Sequence, residues 1–192
     1  MEKSTGKTNT AVFISGRGSN LKSLINFSKN KKSPIKIKLV VSNNSKAKGL
    51  KFSKKNKIEN FLINFKNKSY AESKVLKVLK NKKIELICLA GFMKILSKAF
   101  IKKFKGKILN IHPSLLPKYK GLNTHLRVIR NKEKFSGCTV HLVNSRLDSG
   151  RIILQKKIKV FKNDNVTNLS KRVIKAEHKL YPRAISKLLS FS

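Results

Sequence analysis

Apolar runs of strand length alternate with amphipathic stretches in the first part of the chain. A short run of apolar and β-branched residues is typical of a buried strand, whereas apolar residues spaced three and four apart indicate one face of a helix. Val75, Leu76 and Leu79 share such a face, and Ser97 is a residue type that caps helices well. The pattern predicts strands at 10–15, 35–42, 60–65, 84–90 and 107–112, and helices at 19–30, 69–80 and 97–104.

The alternation stops after Gly121, where two strand patterns follow each other with only residues 144–150 between them. So short a link joins antiparallel strands rather than a parallel crossover. The predicted fold is α/β and Rossmann-like, a mostly parallel twisted sheet with antiparallel strands in the C-terminal part and helices on both faces. The elements predicted here are a helix at 124–132, strands at 137–143 and 151–161, and a long helix at 166–189.

The length of 192 residues suits one domain, 1–192, with a flexible tail at 1–9. The polar start has no apolar core of the kind that a signal peptide carries, and the longest apolar run, Leu86 to Phe92, is far shorter than the ~20 residues that span a bilayer. We therefore expect a soluble, cytoplasmic protein without a membrane partner, acting as a monomer or a homodimer.

The two cysteines, Cys88 and Cys138, lie inside apolar runs and lack the close spacing of metal-binding pairs. They are predicted to be small buried side chains in a reducing compartment, without a disulfide or a metal.

The formal charge of +38 raises the possibility of nucleic-acid binding, because basic side chains neutralise phosphates. The basic residues are spread through nearly every segment, and only seven of the 46 are Arg, the residue type that best contacts bases and phosphates. A solvated basic surface is the preferred interpretation, so no specific nucleic-acid partner is predicted. A cationic RNA-binding protein stays open as an alternative outside enzymes.

A glycine-containing loop, Ser15-Gly-Arg-Gly-Ser-Asn20, follows the first predicted strand and opens the first predicted helix. Amide groups at such a helix start suit a phosphate, and glycines let the backbone approach it closely. The loop lacks the third glycine of a dinucleotide site, and Ser42-Asn43-Asn44 replaces the expected acid after the second strand. These differences argue against a dinucleotide. A purely structural turn remains an alternative on this motif alone.

Three polar residues stand at or just beyond predicted strand ends, where open parallel sheets place their sites: Asn110, His112 and Asp148. An amide can donate to a developing oxyanion, an imidazole can exchange protons near neutral pH, and a carboxylate can hold an imidazolium. Spacing alone also permits a structural histidine and a turn aspartate. Pro113 and Pro117 fix φ, so the chain that follows His112 is predicted to be stiff.

The motif Asn110-Ile-His112-Pro-Ser-Leu-Leu-Pro117 closely resembles the folate-dependent formyltransferases. Gly121, Leu147-Asp-Ser-Gly150, the Gly16–Asn20 loop, Leu89–Leu96 and Glu177-His178 extend the resemblance over residues 11–185. The glycine loop followed by Asn20 is similar to the branch that formylates glycinamide ribonucleotide in purine biosynthesis. Methionyl-tRNA formyltransferases and formyltetrahydrofolate deformylases share the site but carry further domains for which we expect no residues here. Deformylase, a hydrolase, is the alternative enzyme.

The resemblance implies a one-carbon transferase that uses 10-formyltetrahydrofolate as cosubstrate and no metal. Asn110 and a protonated His112 would stabilise the oxyanion, and Asp148 would orient His112. The remaining roles follow by similarity: substrate phosphate on Gly16, Arg17, Gly18, Ser19 and Asn20; the substrate amine end at Ile174, Lys175, Ala176 and Glu177; folate at Lys68, Met93, Lys94, Ile95, Leu96, Asn110, Asn144, Ser145, Arg146, Leu147 and Asp148.

Several positions depart from the family pattern. Ser149 stands where glycine is common, Arg146 near a common acid, and Lys68 and Lys94 where Arg is frequent, so the folate contacts are expected to differ most. His125, His141 and His178 are predicted to be structural or peripheral.

Overall fold

The structure is a computed structural model that describes residues 6–190. Its seven strands form one mixed sheet in the order β3-β2-β1-β4-β5-β6-β7, which confirms the predicted mixed topology. In chain order the elements are β1 (Thr8–Ile14), α1 (Ser19–Lys29), β2 (Ile35–Ser42), α2 (Leu50–Lys55), β3 (Glu59–Leu62), α3 (Lys68–Asn81), β4 (Leu86–Leu89), α4 (Lys98–Lys103), β5 (Lys107–His112), α5 (Thr124–Arg130), β6 (Phe135–Leu142), β7 (Ile152–Lys159) and α6 (Val166–Ser190).

The described chain packs as two compact units, residues 6–108 and residues 109–190, and the one-domain prediction stays a prediction. In the first unit, β1 pairs in parallel with β2 and β4, and β2 pairs in parallel with β3. Residues 11–14 of β1 are completely buried, which explains why this central strand is a continuous apolar run. The strand β3 is short and partly exposed, as is usual at a sheet edge.

In the second unit, β6 pairs antiparallel with β5 and with β7, as the short link predicted. The long helix α6 buries a stripe of residues spaced three and four apart. Within that stripe, Tyr181 is fully buried and its hydroxyl donates to the Leu109 carbonyl oxygen at 3.1 Å. This contact fastens α6 to the strand that carries Asn110 and His112.

Several predicted boundaries differ from those in the structure, and one helix was missed. Thr8 and Asn9 belong to β1 rather than to a tail, because Thr8 N–H donates to the Pro34 carbonyl at 2.8 Å and Asn9 N–H to Glu85 Oε2 at 3.2 Å. Residues 1–5 of the predicted tail lie outside the described part. The strand β3 ends at Leu62 instead of residue 65, and the short helix α2 was not predicted. Among residues 6–190, no helix is both long and apolar enough to cross a bilayer.

The two thiols are expected to be unreactive in the folded protein. Cys88 and Cys138 are buried, as predicted. Burial raises the pKa of the Cys138 thiol to about 12, with help from the Glu177 charge and against the Lys156 charge. Because the thiolate is the reactive form, a disulfide reagent should titrate neither thiol in the native protein and both in guanidinium chloride. Rapid labelling of the native protein would contradict this prediction.

Candidate active site

The strand β5 and its antiparallel neighbour β6 bring together the polar groups of the candidate site. Asn110 and His112 are two residues apart on β5 and therefore lie on the same face of the strand. His141 of β6 is the direct cross-strand partner of Asn110. Asp148 follows in the loop before β7, with a left-handed backbone at φ 45°. The three predicted catalytic residues thus meet within the second unit, together with one residue that was not predicted.

Asp148 lies at the centre of this cluster and is only 9% exposed. Its Oδ2 accepts from the Gly121 N–H at 2.9 Å and lies 3.4 Å from His112 Nδ1. Its Oδ1 lies 3.4 Å from Asn110 Nδ2 and 3.6 Å from His141 Nε2. Each oxygen therefore faces a hydrogen-bond donor and an imidazole nitrogen, so the buried carboxylate has polar partners.

The Asp148 carboxyl is held in its ionised form. Burial raises its pKa, but the approach of His141, the hydrogen bond from Gly121 and the charge of His112 together lower it by more. The net pKa lies below the ordinary value for aspartate. A negative charge is thus present beside His112 throughout the neutral pH range.

The imidazole of His112 faces an acceptor on each side. Its Nε2 lies 2.8 Å from the Tyr119 carbonyl oxygen, and its Nδ1 faces Asp148. A carbonyl oxygen only accepts hydrogen bonds, so Nε2 carries a hydrogen. With Nε2 occupied by Tyr119, Nδ1 is the ring nitrogen that faces Asp148.

Asn110 is held by two neighbours. His141 Nδ1 lies 2.9 Å from the Leu142 carbonyl oxygen, so Nδ1 carries a hydrogen. Asn110 Nδ2 lies 3.2 Å from His141 Nε2 and 3.4 Å from Asp148 Oδ1. The Asn110 amide is therefore held by groups of the protein, and a substrate oxygen would replace one of these contacts.

His141 was predicted to be structural or peripheral, but the structure places it in the cluster. Its ring contacts both Asn110 and Asp148. The antiparallel register between β5 and β6 would have been the signal, since it sets residue 141 opposite residue 110. His125 lies in α5, where burial and the charge of His112 lower its pKa. His178 is on α6.

The glycine loop begins α1 in the first unit. Gly18 has φ 72° and is the residue before the first helical turn, where no side chain caps the helix. Its Cα lies against Gly49, since a Cβ on Gly18 would come 2.4 Å from the Gly49 Cα. Gly16 and Arg17 are exposed, whereas Asn20 is buried. The loop therefore offers exposed backbone at a helix start, and Gly49 is a supporting residue that the sequence did not indicate.

Ser15 fixes this loop through four hydrogen bonds. Its N–H donates to the Gly91 carbonyl at 3.1 Å, and its carbonyl accepts from Asn44 Nδ2 at 3.2 Å. Its hydroxyl donates to Asn43 Oδ1 at 2.5 Å and accepts from the Met93 N–H at 2.7 Å. The start of the glycine loop and the segment at Met93 are thus connected through one side chain.

The predicted folate residues are mostly exposed. In the first unit, Met93 and Ile95 are each 65% exposed, Lys94 and Lys68 are exposed, and only Leu96 is buried. In the second unit, residues 144–147 form an exposed loop before Asp148, and Leu147 presents half of its side chain to solvent. Apolar side chains left exposed in this way can contact a flat ring.

Glu177 is buried at 6% exposure on α6, although an acid in so basic a chain would ordinarily lie at the surface. Its charge helps to raise the pKa of the Cys138 thiol of β6. Of its neighbours, Ile174 and Ala176 are half-buried and Lys175 is exposed. Among residues 6–190, no group of three or more acidic, histidine or cysteine side chains could hold a metal ion.

A buried centre of histidine, carboxylate and amide groups at the end of a Rossmann-like strand is typical of α/β enzymes that use acid–base catalysis. The family model described as formyl transferase matches residues 8–185. The chain belongs to the formyl transferase family.

Several relatives share most of this chain. The trifunctional purine biosynthetic protein adenosine-3 of Gallus gallus is 46% identical over 97% of this chain, which spans only about a fifth (19%) of that relative's length. The phosphoribosylglycinamide formyltransferase of Haemophilus influenzae is 42% identical over 91% of this chain and 84% of its own. The crystal structure of phosphoribosylglycinamide formyltransferase from Brucella melitensis superimposes with a TM-score of 0.90 at 40% identity, covering 95% of each chain.

Proposed function

We propose that this protein transfers the formyl group of 10-formyltetrahydrofolate to the amine of glycinamide ribonucleotide, giving formylglycinamide ribonucleotide in purine biosynthesis. The observation that carries the proposal is the placement of the His112 imidazole beside the ionised Asp148, next to the Asn110 amide. Membership of the formyl transferase family and the names of the similar proteins support this assignment.

The reaction begins when the substrate amine attacks the formyl carbon. A new carbon–nitrogen bond forms, and the carbonyl oxygen becomes a tetrahedral oxyanion. His112 Nδ1–H and one Asn110 amide hydrogen stabilise that oxygen, each by giving up part of its contact with Asp148 or His141. The bond from the formyl carbon to N10 of the folate then breaks. Asp148 balances the imidazolium charge and orders a water that carries the proton from the attacking nitrogen to N10.

The substrate phosphate binds at the start of α1, on the amides and side chains of residues 16–20, of which Gly16 and Arg17 are exposed. The buried carboxylate of Glu177, with residues 174–176, receives the amine end of glycinamide ribonucleotide. An amine that gains a buried carboxylate partner loses water but keeps a strong hydrogen bond, which favours its correct placement.

Each unit by itself offers exposed side chains that suit the folate cosubstrate. In the first unit, Met93 and Ile95 offer apolar surface and Lys68 offers a cation for the carboxylate tail. In the second unit, Leu147 offers apolar surface. Lys68 and Lys94 supply charge without the two-pronged geometry of arginine, so the folate KM is the constant in which this enzyme should differ most from its relatives. The protein acts in the cytoplasm as a monomer or a homodimer, without a specific nucleic-acid or membrane partner.

The test is an assay of the purified protein with 10-formyltetrahydrofolate and glycinamide ribonucleotide. The expected products are tetrahydrofolate and formylglycinamide ribonucleotide in equal amounts. A parallel reaction without the acceptor separates transfer from hydrolysis, because a deformylase would release formate at an undiminished rate. Replacing 10-formyltetrahydrofolate by 5-formyltetrahydrofolate tests the donor. Absence of the formylated product with 10-formyltetrahydrofolate as donor would refute the proposed function.

A further inference from the structure

Tyr119 contacts the catalytic centre through its backbone. Its carbonyl oxygen accepts the hydrogen bond from His112 Nε2 at 2.8 Å, and this bond determines which ring nitrogen faces Asp148. The hydrogen bond made by one imidazole nitrogen sets the role of the other. If the carbonyl shifted, Nδ1–H would no longer be the donor held toward the reacting group.

The backbone of Tyr119 does not hold this position by itself. Its φ of 56° lies in the left-handed region, which is unfavourable for a residue with a Cβ. A conformation of this kind persists only where surrounding contacts enforce it. The neighbouring Lys118 carbonyl accepts from the Ser114 hydroxyl at 2.7 Å, which fixes one end of the turn.

Tyr119 is half-buried and borders a cavity of about 230 Å³. Polar contacts restrain its side chain. The Tyr119 hydroxyl donates to Glu133 Oε1 at 2.8 Å and accepts from Asn131 Nδ2 at 3.0 Å, and the Arg127 guanidinium lies over the ring. Glu133 Oε1 also accepts a hydrogen bond from Lys118 Nζ at 2.9 Å. The hydrogen bonds from Lys118 and Tyr119 lower the pKa of Glu133.

We propose that Tyr119 is a positioning residue whose side chain, anchored on Asn131 and Glu133 beyond the end of α5, holds its own carbonyl against His112. This inference rests on the proposed role of His112 in formyl transfer. It extends the site from β5 to the turn between α5 and β6, none of whose residues touches a substrate in the proposed reaction.

The test begins with Tyr119→Phe, which removes only the hydroxyl. The loss of these hydrogen bonds is expected to lower kcat about three- to tenfold and to change both KM values by less than about twofold. Glu133→Ala should act in the same way, whereas Glu133→Gln keeps an oxygen acceptor and should retain most of the wild-type rate. The double variant Tyr119→Phe/Glu133→Ala should be no slower than the slower single variant, because both remove one interaction.

Tyr181→Phe is the matched control, since it also removes a phenolic hydrogen bond within the second unit, that to the Leu109 carbonyl oxygen. It should lower the melting temperature and leave kcat unchanged. A readout independent of turnover is the imidazole Nε2–H proton of His112 in nuclear magnetic resonance spectra. This signal should be protected from exchange in the wild type and in Tyr181→Phe, and weakened in Tyr119→Phe.

Three results would each overturn the inference. The first is an unchanged kcat in folded Tyr119→Phe, and the second is a change in KM with no change in kcat. The third is a double variant whose loss of kcat is the product of the two single losses. Failure of the proposed function is distinguishable, because it would appear as absent transfer by the wild-type protein. The exchange measurement would then still decide whether the Tyr119 side chain holds His112 in place.

Discussion

Replacing Asp148 by asparagine is expected to lower kcat for formyl transfer about a hundredfold or more, the usual effect of losing one electrostatic partner of a developing charge. The change keeps the size of the side chain but removes the charge that faces His112 Nδ1. It also brings an NH₂ group toward donors, since Gly121 N–H and Asn110 Nδ2 both point at the present carboxylate. Steady-state rates with both substrates saturating measure the effect. A kcat within about threefold of the wild type would show that the charge is not needed.

Asp164→Asn is the matched control for this variant. Asp164 lies in the same unit, accepts from Arg172 Nη1 at 2.7 Å and from the Phe161 N–H at 2.8 Å, and has no proposed part in catalysis. The Arg172 hydrogen bond lowers the pKa of Asp164, and ionisation of the carboxyl therefore stabilises the folded state. The control should melt at a lower temperature with an unchanged kcat. Equal losses of kcat in both variants would point to instability rather than catalysis.

Replacing Gly18 by alanine is expected to reduce the free energy of unfolding by about 2–4 kcal/mol and to weaken binding of glycinamide ribonucleotide. Two causes add. The left-handed φ of 72° disfavours any Cβ, and that Cβ would lie 2.4 Å from the backbone of Gly49. The loop can relieve this overlap only by moving the amides at the start of α1. Denaturant melts measure the stability, and calorimetric titration measures the substrate affinity.

Gly16→Ala separates the general effect of an added methyl group from the overlap at Gly18. No atom lies within 4 Å of a Cβ built on Gly16, so the free energy of unfolding should change by less than about 0.5 kcal/mol. Equal destabilisation by the two substitutions would refute the close approach of Gly18 to Gly49.

The strands and the longer helices could be predicted from sequence because their burial patterns are local. The central strands are continuous apolar runs in the sequence because both faces of residues 11–14 and 86–89 are buried. The short helix α2 could not be predicted, because it buries only Leu50 and Ser53 and is rich in lysine. Its position depends instead on hydrogen bonds outside the helix, such as that from Gly49 N–H to the Gly16 carbonyl.

The candidate catalytic residues could be predicted because strand ends and the proline motif are visible in sequence. The residues that support them could not be predicted from the sequence. His141 joins the cluster through cross-strand register, which pairs residues far apart in the chain. Tyr119 contributes a carbonyl, a group that every residue has, so its identity gave no signal. Glu177 resembles a solvated acid until the packing of α6 places it in the interior.

The four hydrogen bonds of Ser15 have a thermodynamic consequence for ligand binding. They connect the glycine loop, residues 43–44 and residues 91–93 before any ligand arrives. A loop that is already ordered loses little conformational entropy when a phosphate binds, so more of the interaction energy appears as affinity. Preorganisation of this kind is what the proposed phosphate site needs, because its two glycines belong to the most flexible residue type.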